Sequence, residues 1–153
     1  MTIEMQPVAT VIGGRVEAID DDWDKERAII ALDEARFDAE AIAGLDAFSH
    51  IEVVFHFHRV DEDKIQYVAR HPRGNTDWPR IGIFAQRGKG RPNRIGVTVC
   101  RLISVKGTRI EVEGLDAIDG TPVLDIKPYM RGFAPRGPVH EPAWPGELMA
   151  DYW

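Results

Sequence analysis

Two stretches of the sequence gather residue types able to hold charged or polar ligands. The first, Phe84-Ala85-Gln86-Arg87-Gly88-Lys89-Gly90-Arg91-Pro92-Asn93-Arg94-Ile95-Gly96, sets cations among glycines that permit close backbone approach and a proline that fixes φ. It reads as a rigid grip for an anion or a polar heterocycle. The second, GLDAIDGTPVLDIKPY from Gly114 to Tyr129, places Asp116, Asp119 and Asp125 close together among turn-forming Gly and Pro. Such carboxylates accept hydrogen bonds from a diol or pair with a cation. A purely architectural reading stands beside this one: Asp119-Gly120-Thr121-Pro122 as a tight turn between strands, and Asp125 with Lys127 as a same-face ion pair.

Other candidate motifs carry less. His56 and His58 alternate along an apolar run, so on one strand they project together and offer two metal ligands, but no Cys or acid at a recognisable spacing supplies a third. No metal is expected, and hydrogen-bonding histidines are the simpler reading. Cys100, the single cysteine, lies in GVTVCRLI, where a small buried hydrophobe is expected and no disulfide can form within the chain. Gly88-Lys89-Gly90 lacks the glycine directly before Lys and the Ser or Thr after it that a phosphate loop requires. The glycines at 82, 88, 90 and 96 do not fall into GxGxxG either, and no alternation of strands with long helices surrounds them. No Ser-His-Asp arrangement stands out.

The elements that must position these residues are short and β-rich. Segments of Val, Ile and Phe recur at Val8 to Val16, Ala28 to Leu32, His50 to Val60, Ile81 to Gln86, Ile95 to Val105, Arg109 to Glu113 and Pro122 to Ile126, the spacing of an all-β barrel or sandwich. Asp38 to Phe48 alone has helical periodicity, with Asp38 able to cap it. In the strand that follows, Ile51, Val53, Phe55 and Phe57 share one face, and His56 and His58 the other. After Tyr129 four prolines, Pro135, Pro138, Pro142 and Pro145, leave few backbone donors, so residues 130–153 are expected to run extended over the surface or onto a partner subunit. Within that tail LMADYW is expected to form about one helical turn and to dock Leu148, Tyr152 and Trp153.

Length and charge frame these expectations. The chain has 153 residues, 44% hydrophobic and 29% charged, which suits one folded domain over 1–153 and excludes a disordered or low-complexity chain. No apolar run approaches the roughly 20 residues of a membrane span, and the N-terminus lacks a secretory pattern, so a cytoplasmic protein is expected. The net charge of −6 hides an asymmetry: Arg70 to Arg101 holds eight Lys or Arg and one acid, giving +7, and the rest therefore carries −13. A local anion site fits that distribution better than a generally basic surface.

The same two stretches carry a resemblance. RPN-x-IG followed by LDAIDGTPVLDIKPY resembles the signature of the TsaA-like or YaeB-like (TrmO) family, reinforced upstream by GLDAFSHIEVVFHFHR and GIFAQR, and the likeness extends over about residues 8–130. Characterised members are S-adenosylmethionine-dependent tRNA N6-methyltransferases that act on threonylcarbamoyladenosine beside the anticodon. The resemblance implies a small β-barrel, closed or partly open, with one or two short helices and no Rossmann fold. It also implies a homodimer with the cofactor at or near the interface. Carried over by position, cofactor contacts fall on His58, Arg59, Arg87, Val97, Asp116, Ala117, Ile118 and Asp119. His58 and Asp119 are then the catalytic candidates, His58 removing a proton, with Asp116 or Asp119 holding the ribose or amine. Lys89, Arg91, Asn93 and Arg94 would hold tRNA phosphates or the substrate carboxylate. The chain departs from the family pattern at Gly88, where Ser or Thr is usual, at Arg94, where Pro is usual, and in DDDWDKERA, which replaces an early cofactor loop and in which Trp23 is placed over the cofactor. Two alternatives remain open: another RNA or a small molecule as methyl acceptor, and a barrel that binds nucleic acid or a metabolite without catalysis.

Overall fold

The computed structural model describes the whole chain, Met1–Trp153. Eight strands form: β1 (Ala9–Ile12), β2 (Arg27–Leu32), β3 (His50–His56), β4 (Ala69–Arg70), β5 (Ile81–Gly82), β6 (Ile95–Lys106), β7 (Arg109–Glu113) and β8 (Pro122–Pro128). Six of them close an antiparallel barrel in the order β1-β2-β7-β6-β3-β8, while β4 and β5 pair separately as a small ribbon. The barrel closes where Ala9 pairs with Val123. The expected all-β class and barrel are thus what the chain adopts.

Alternation explains the interior. Ala28, Ile30 and Leu32 of β2, Ile51, Val53 and Phe55 of β3, and Ile110 and Val112 of β7 all point inward, and the residues between them face outward. Gly96 fills a special place in this core. A Cβ there would lie 2.6 Å from the Phe55 ring and 2.9 Å from the Phe57 ring, so only glycine lets those two rings pack edge to face beside β6. Cys100 is buried in the same strand, and burial pushes its thiol up to about 12, with the Asp116 charge adding to the effect.

Two sequence expectations are corrected. Residues 38–48 form two single turns of 3-10 helix, Ala39–Ile42 and Leu45–Ala47, because Gly44 takes the left-handed region between them (φ 85°) and interrupts any α-helix. Asp38 still caps, accepting from the Glu40 N–H at 2.9 Å. The third strand ends at His56, and the His58 N–H turns back to the His56 carbonyl at 2.8 Å, so the two histidines do not share a strand face. Beyond the mostly exposed stretch 130–142, the tail forms α1 (Ala143–Leu148) and returns along the barrel, with Asp22 and Trp23 donating through their backbone N–H groups to the carbonyls of Asp151 and Tyr152. Pro145 is tolerated inside α1 because the N–H groups of a first helical turn have no partner in any case.

Candidate active site at one end of the barrel

Antiparallel closure puts three connections at one end of the barrel: 13–26 between β1 and β2, 57–94 between β3 and β6, and 114–121 between β7 and β8. The cofactor and RNA contacts that the resemblance assigns lie in these connections except Val97, the third residue of β6, which faces outward and is 37% exposed. The opposite end carries an apolar cleft of about 510 Å³ lined by Leu32, Phe37, Ile42 and Phe48 among others; of the carboxylates singled out in the sequence, only Asp125 reaches it.

The connection 13–26 is the hub of the site. Asp119 reaches it twice, its N–H donating to the Arg15 carbonyl at 2.7 Å and its Oδ1 accepting from the Gly13 N–H at 2.7 Å. Arg59 donates to the Val16 carbonyl at 3.5 Å, and Lys89 lies 3.4 Å from both the Ala18 carbonyl and an Asp20 oxygen. Arg73 pairs with Asp21 at 2.9 Å. The loop itself is shaped by Arg15, whose guanidinium donates to the carbonyls of Ile19, Asp21 and Asp22 at 2.8–2.9 Å and stacks 3.8 Å over the Trp23 ring. Trp23 is buried beneath that stack.

His58 stands against the Asp119-Gly120 turn, its Nε2 within 3.7 Å of the place a Gly120 side chain would take. Burial first, and then the neighbouring Arg59 charge, hold its imidazole below the usual histidine range, so it is neutral at pH 7 and free to accept a proton. His56 is lowered too, by burial and then by Arg94. No three His, Cys, Asp or Glu side chains converge on one point.

Asp116 is placed differently from Asp119. Its Oδ1 accepts from the Thr98 hydroxyl inside the barrel mouth, and its Oδ2 accepts from the Tyr152 hydroxyl of the returning tail. Burial, followed by the Asp116 charge, pushes the Tyr152 phenol up, which keeps it a proton donor. Ala117 and Ile118 turn their side chains into the core, leaving only their backbone to meet a ligand. Asp119 is exposed.

The basic stretch folds as a self-bonded loop. Arg87 donates to the Val97 carbonyl at 2.8 Å, Arg91 to Gln86 at 2.8 Å and Arg94 to Val60 at 2.7 Å. Asn93 and Arg94 both take positive φ, 63° and 51°, directly after Pro92. Two successive left-handed non-glycine residues cost about 1–3 kcal/mol each, and such strain is characteristic of ligand clamps. The structure therefore sets Arg59 and Asp119 against 13–16, with His58 beside the Asp119-Gly120 turn, joins Arg87 to Val97, and ties Arg91 and Arg94 to the carbonyls of Gln86 and Val60. Sequence reasoning did not single out Arg15, Thr98 or Arg70. Tyr152 was noted only as an apolar group in need of a dock.

Comparison with known proteins agrees with this architecture. The family model described as the tRNA-methyltransferase O N-terminal domain matches residues 21–134. The tRNA (adenine(37)-N6)-methyltransferase of Escherichia coli (strain K12) is 42% identical over 98 residues, covering 60% of this chain and 40% of that protein. A protein of Methanothermobacter thermautotrophicus named "Probable S-adenosyl-L-methionine-binding protein" is 40% identical over 90 residues, covering 59% of this chain and 61% of its own length. A crystal structure of TrmO superposes with a TM-score of 0.76 at 29% identity, covering 92% of this chain and 64% of that one. The chain thus spans less than two thirds of the relatives it matches, and the tail from 135 onward lies outside the family model. With the family model covering most of its length, the chain belongs to the tRNA-methyltransferase O N-terminal domain family.

Proposed function

We propose that the protein is an S-adenosylmethionine-dependent methyltransferase that modifies N6 of threonylcarbamoyladenosine next to the anticodon in tRNA. The observation that carries this reading is the meeting of Asp119, Arg59 and Lys89 on the 13–20 loop, with His58 beside the Asp119-Gly120 turn, at one end of a family-member barrel. The donor set fits the cofactor. Asp119 uses Oδ1 within the fold and is exposed, so its carboxylate is available to a ribose diol or an ammonium, and Arg59 and Arg87 supply cations for the cofactor's carboxylate. When bound, S-adenosylmethionine supplies a methyl group on a sulfonium.

The chain's own residues then orient and receive. Asp119, His58, Arg59, Arg87, Val97 and the backbone of residues 116–118 hold and align the cofactor, because near-attack geometry is the main catalytic requirement of an in-line displacement. His58, neutral at pH 7, takes the proton that the methylated nitrogen loses. Lys89, Arg91, Asn93 and Arg94 face the RNA with the donors they do not use internally. We place the enzyme in the cytoplasm and as a homodimer, with the cofactor site near the interface. Tyr67, Val68 and Phe84, large and exposed around the β4–β5 ribbon, support such an interface.

The test is methyl transfer from labelled S-adenosylmethionine to tRNA carrying the threonylcarbamoyl group, followed by nucleoside analysis. Label appearing at N6 of that nucleoside and lost in Asp119→Ala supports the assignment. Cofactor binding with no label in tRNA points to another acceptor, and no cofactor binding by calorimetry sinks the enzymatic reading.

A further inference from the structure

Arg70 is a half-buried cation of the basic segment whose guanidinium meets no acid of the chain. It ends β4, and its guanidinium threads beneath the basic loop: a Cβ at Gly88 would lie 2.8 Å from Nη2. Any side chain at 88 would meet it. Its Nε is the only buried side-chain polar atom in the chain without a hydrogen-bond partner. None of the chain's ion pairs includes it, although Arg73, Lys89 and Arg101 each find an acid. Leaving a buried guanidinium N–H unpaired is costly, and an unpaired buried donor of this kind is met where a ligand completes the site.

The neighbourhood indicates the class of ligand. Gly88 lies over Arg70 and is flanked in the chain by Arg87 and Lys89, whose cations reach Val97 on one side and Ala18 and Asp20 on the other. The planar guanidinium favours a bidentate oxyanion. The buried Gln86 holds the segment rigid beneath, its side-chain amide donating to the carbonyls of Ile81 at 3.1 Å and of Arg70 and Gly82 at 3.5 Å.

We propose that Arg70, admitted by the missing side chain at Gly88, is a substrate-specificity residue that binds an oxyanion of the RNA acceptor. The inference rests on the proposed tRNA function. That substrate offers the oxyanion from two sources, the carboxylate of the threonylcarbamoyl group and a backbone phosphate.

The experiment compares full-length wild type with Arg70→Gln, Arg70→Lys and Gly88→Ala, the last keeping the guanidinium but forcing it aside. Each is titrated with tRNA bearing the threonylcarbamoyl group and with tRNA lacking it, at several salt concentrations. S-adenosylmethionine affinity, measured in parallel, reports both an intact fold and the enzymatic reading. A carboxylate partner predicts that Arg70→Gln and Gly88→Ala lose about tenfold or more of the preference for the modified tRNA, with the salt slope unchanged. A phosphate partner predicts equal weakening on both tRNAs and a salt slope smaller by about one. Arg70→Lys falls between wild type and Arg70→Gln in either case. Unchanged preference, affinity and slope in variants that still bind the cofactor overturn the assignment. Failure of wild type to bind cofactor or tRNA overturns the functional reading instead.

Discussion

Asp116 and Asp119 lie three residues apart and have opposite assignments. Asp116 ties β6, through Thr98, to the returning tail, through Tyr152, whereas Asp119 clasps the hub loop and stays exposed. Tyr152→Phe removes one charge-assisted bond and should lower stability by about 1–2 kcal/mol, read from urea unfolding, while keeping the ring in place. The histidines add a pH signature. Burial and adjacent arginines hold His56 and His58 below the usual range, so as pH falls through about 6.5 the unfolded chain binds protons before the folded one. Stability is full above that pH and declines below it until the folded pKa is passed. The melting temperature should therefore drop less between pH 7 and pH 5 in His58→Gln than in wild type, and a drop of equal size would remove His58 as a source. The charges on Asp116, Asp119 and the basic loop were legible as chemistry from residue type. Which carboxylate is exposed was not, because it depends on Tyr152, distant in the chain from both.

Strand elements were legible because alternation of Ile, Val and Phe in β2, β3, β6 and β7 leaves little choice of which face is buried. The segment 38–48 misled for a physical reason: its apolar spacing is helical, yet Gly44 at positive φ costs nothing there and breaks the run. His58 misled similarly, since the alternation continues past His56 while the backbone turns back. Gly96 offers a direct test at this scale. A methyl group at that position must displace two packed aromatic rings, so Gly96→Ala should cost about 1–3 kcal/mol by chemical denaturation. Gly82, with nothing within 4 Å of a built Cβ, should accept alanine with little change and serves as the control.

At the level of the whole molecule, the net charge of −6 coexists with a cationic region because acids of the hub loop meet it directly. Asp20 pairs with Lys89 and Asp21 with Arg73, so part of the positive end is held in check by the chain itself. Exposed pairs contribute about 0.2–1 kcal/mol. The double variant Asp20→Asn, Asp21→Asn should accordingly bind tRNA up to several-fold more tightly at low salt, with a steeper dependence on salt concentration. Equal affinity and slope would show that the pairs do not compete with RNA. The sequence displayed the two charge blocks, but not that they face one another, because that contact needs the barrel to close first.

The returning tail also sets what light can report about this protein. The chain has four tryptophans: Trp144 and Trp153 belong to the tail, the Trp23 N–H donates to the Tyr152 carbonyl, and the Trp78 indole donates to Glu147 of α1 at 2.7 Å. The six barrel strands contain none. Intrinsic fluorescence is therefore a built-in gauge of whether residues 143–153 are seated, and it is blind to the barrel interior. An unfolding curve followed by tryptophan emission will track the departure of the tail. Far-ultraviolet circular dichroism will track the sheet, and any separation between the two midpoints measures how independently the tail lets go.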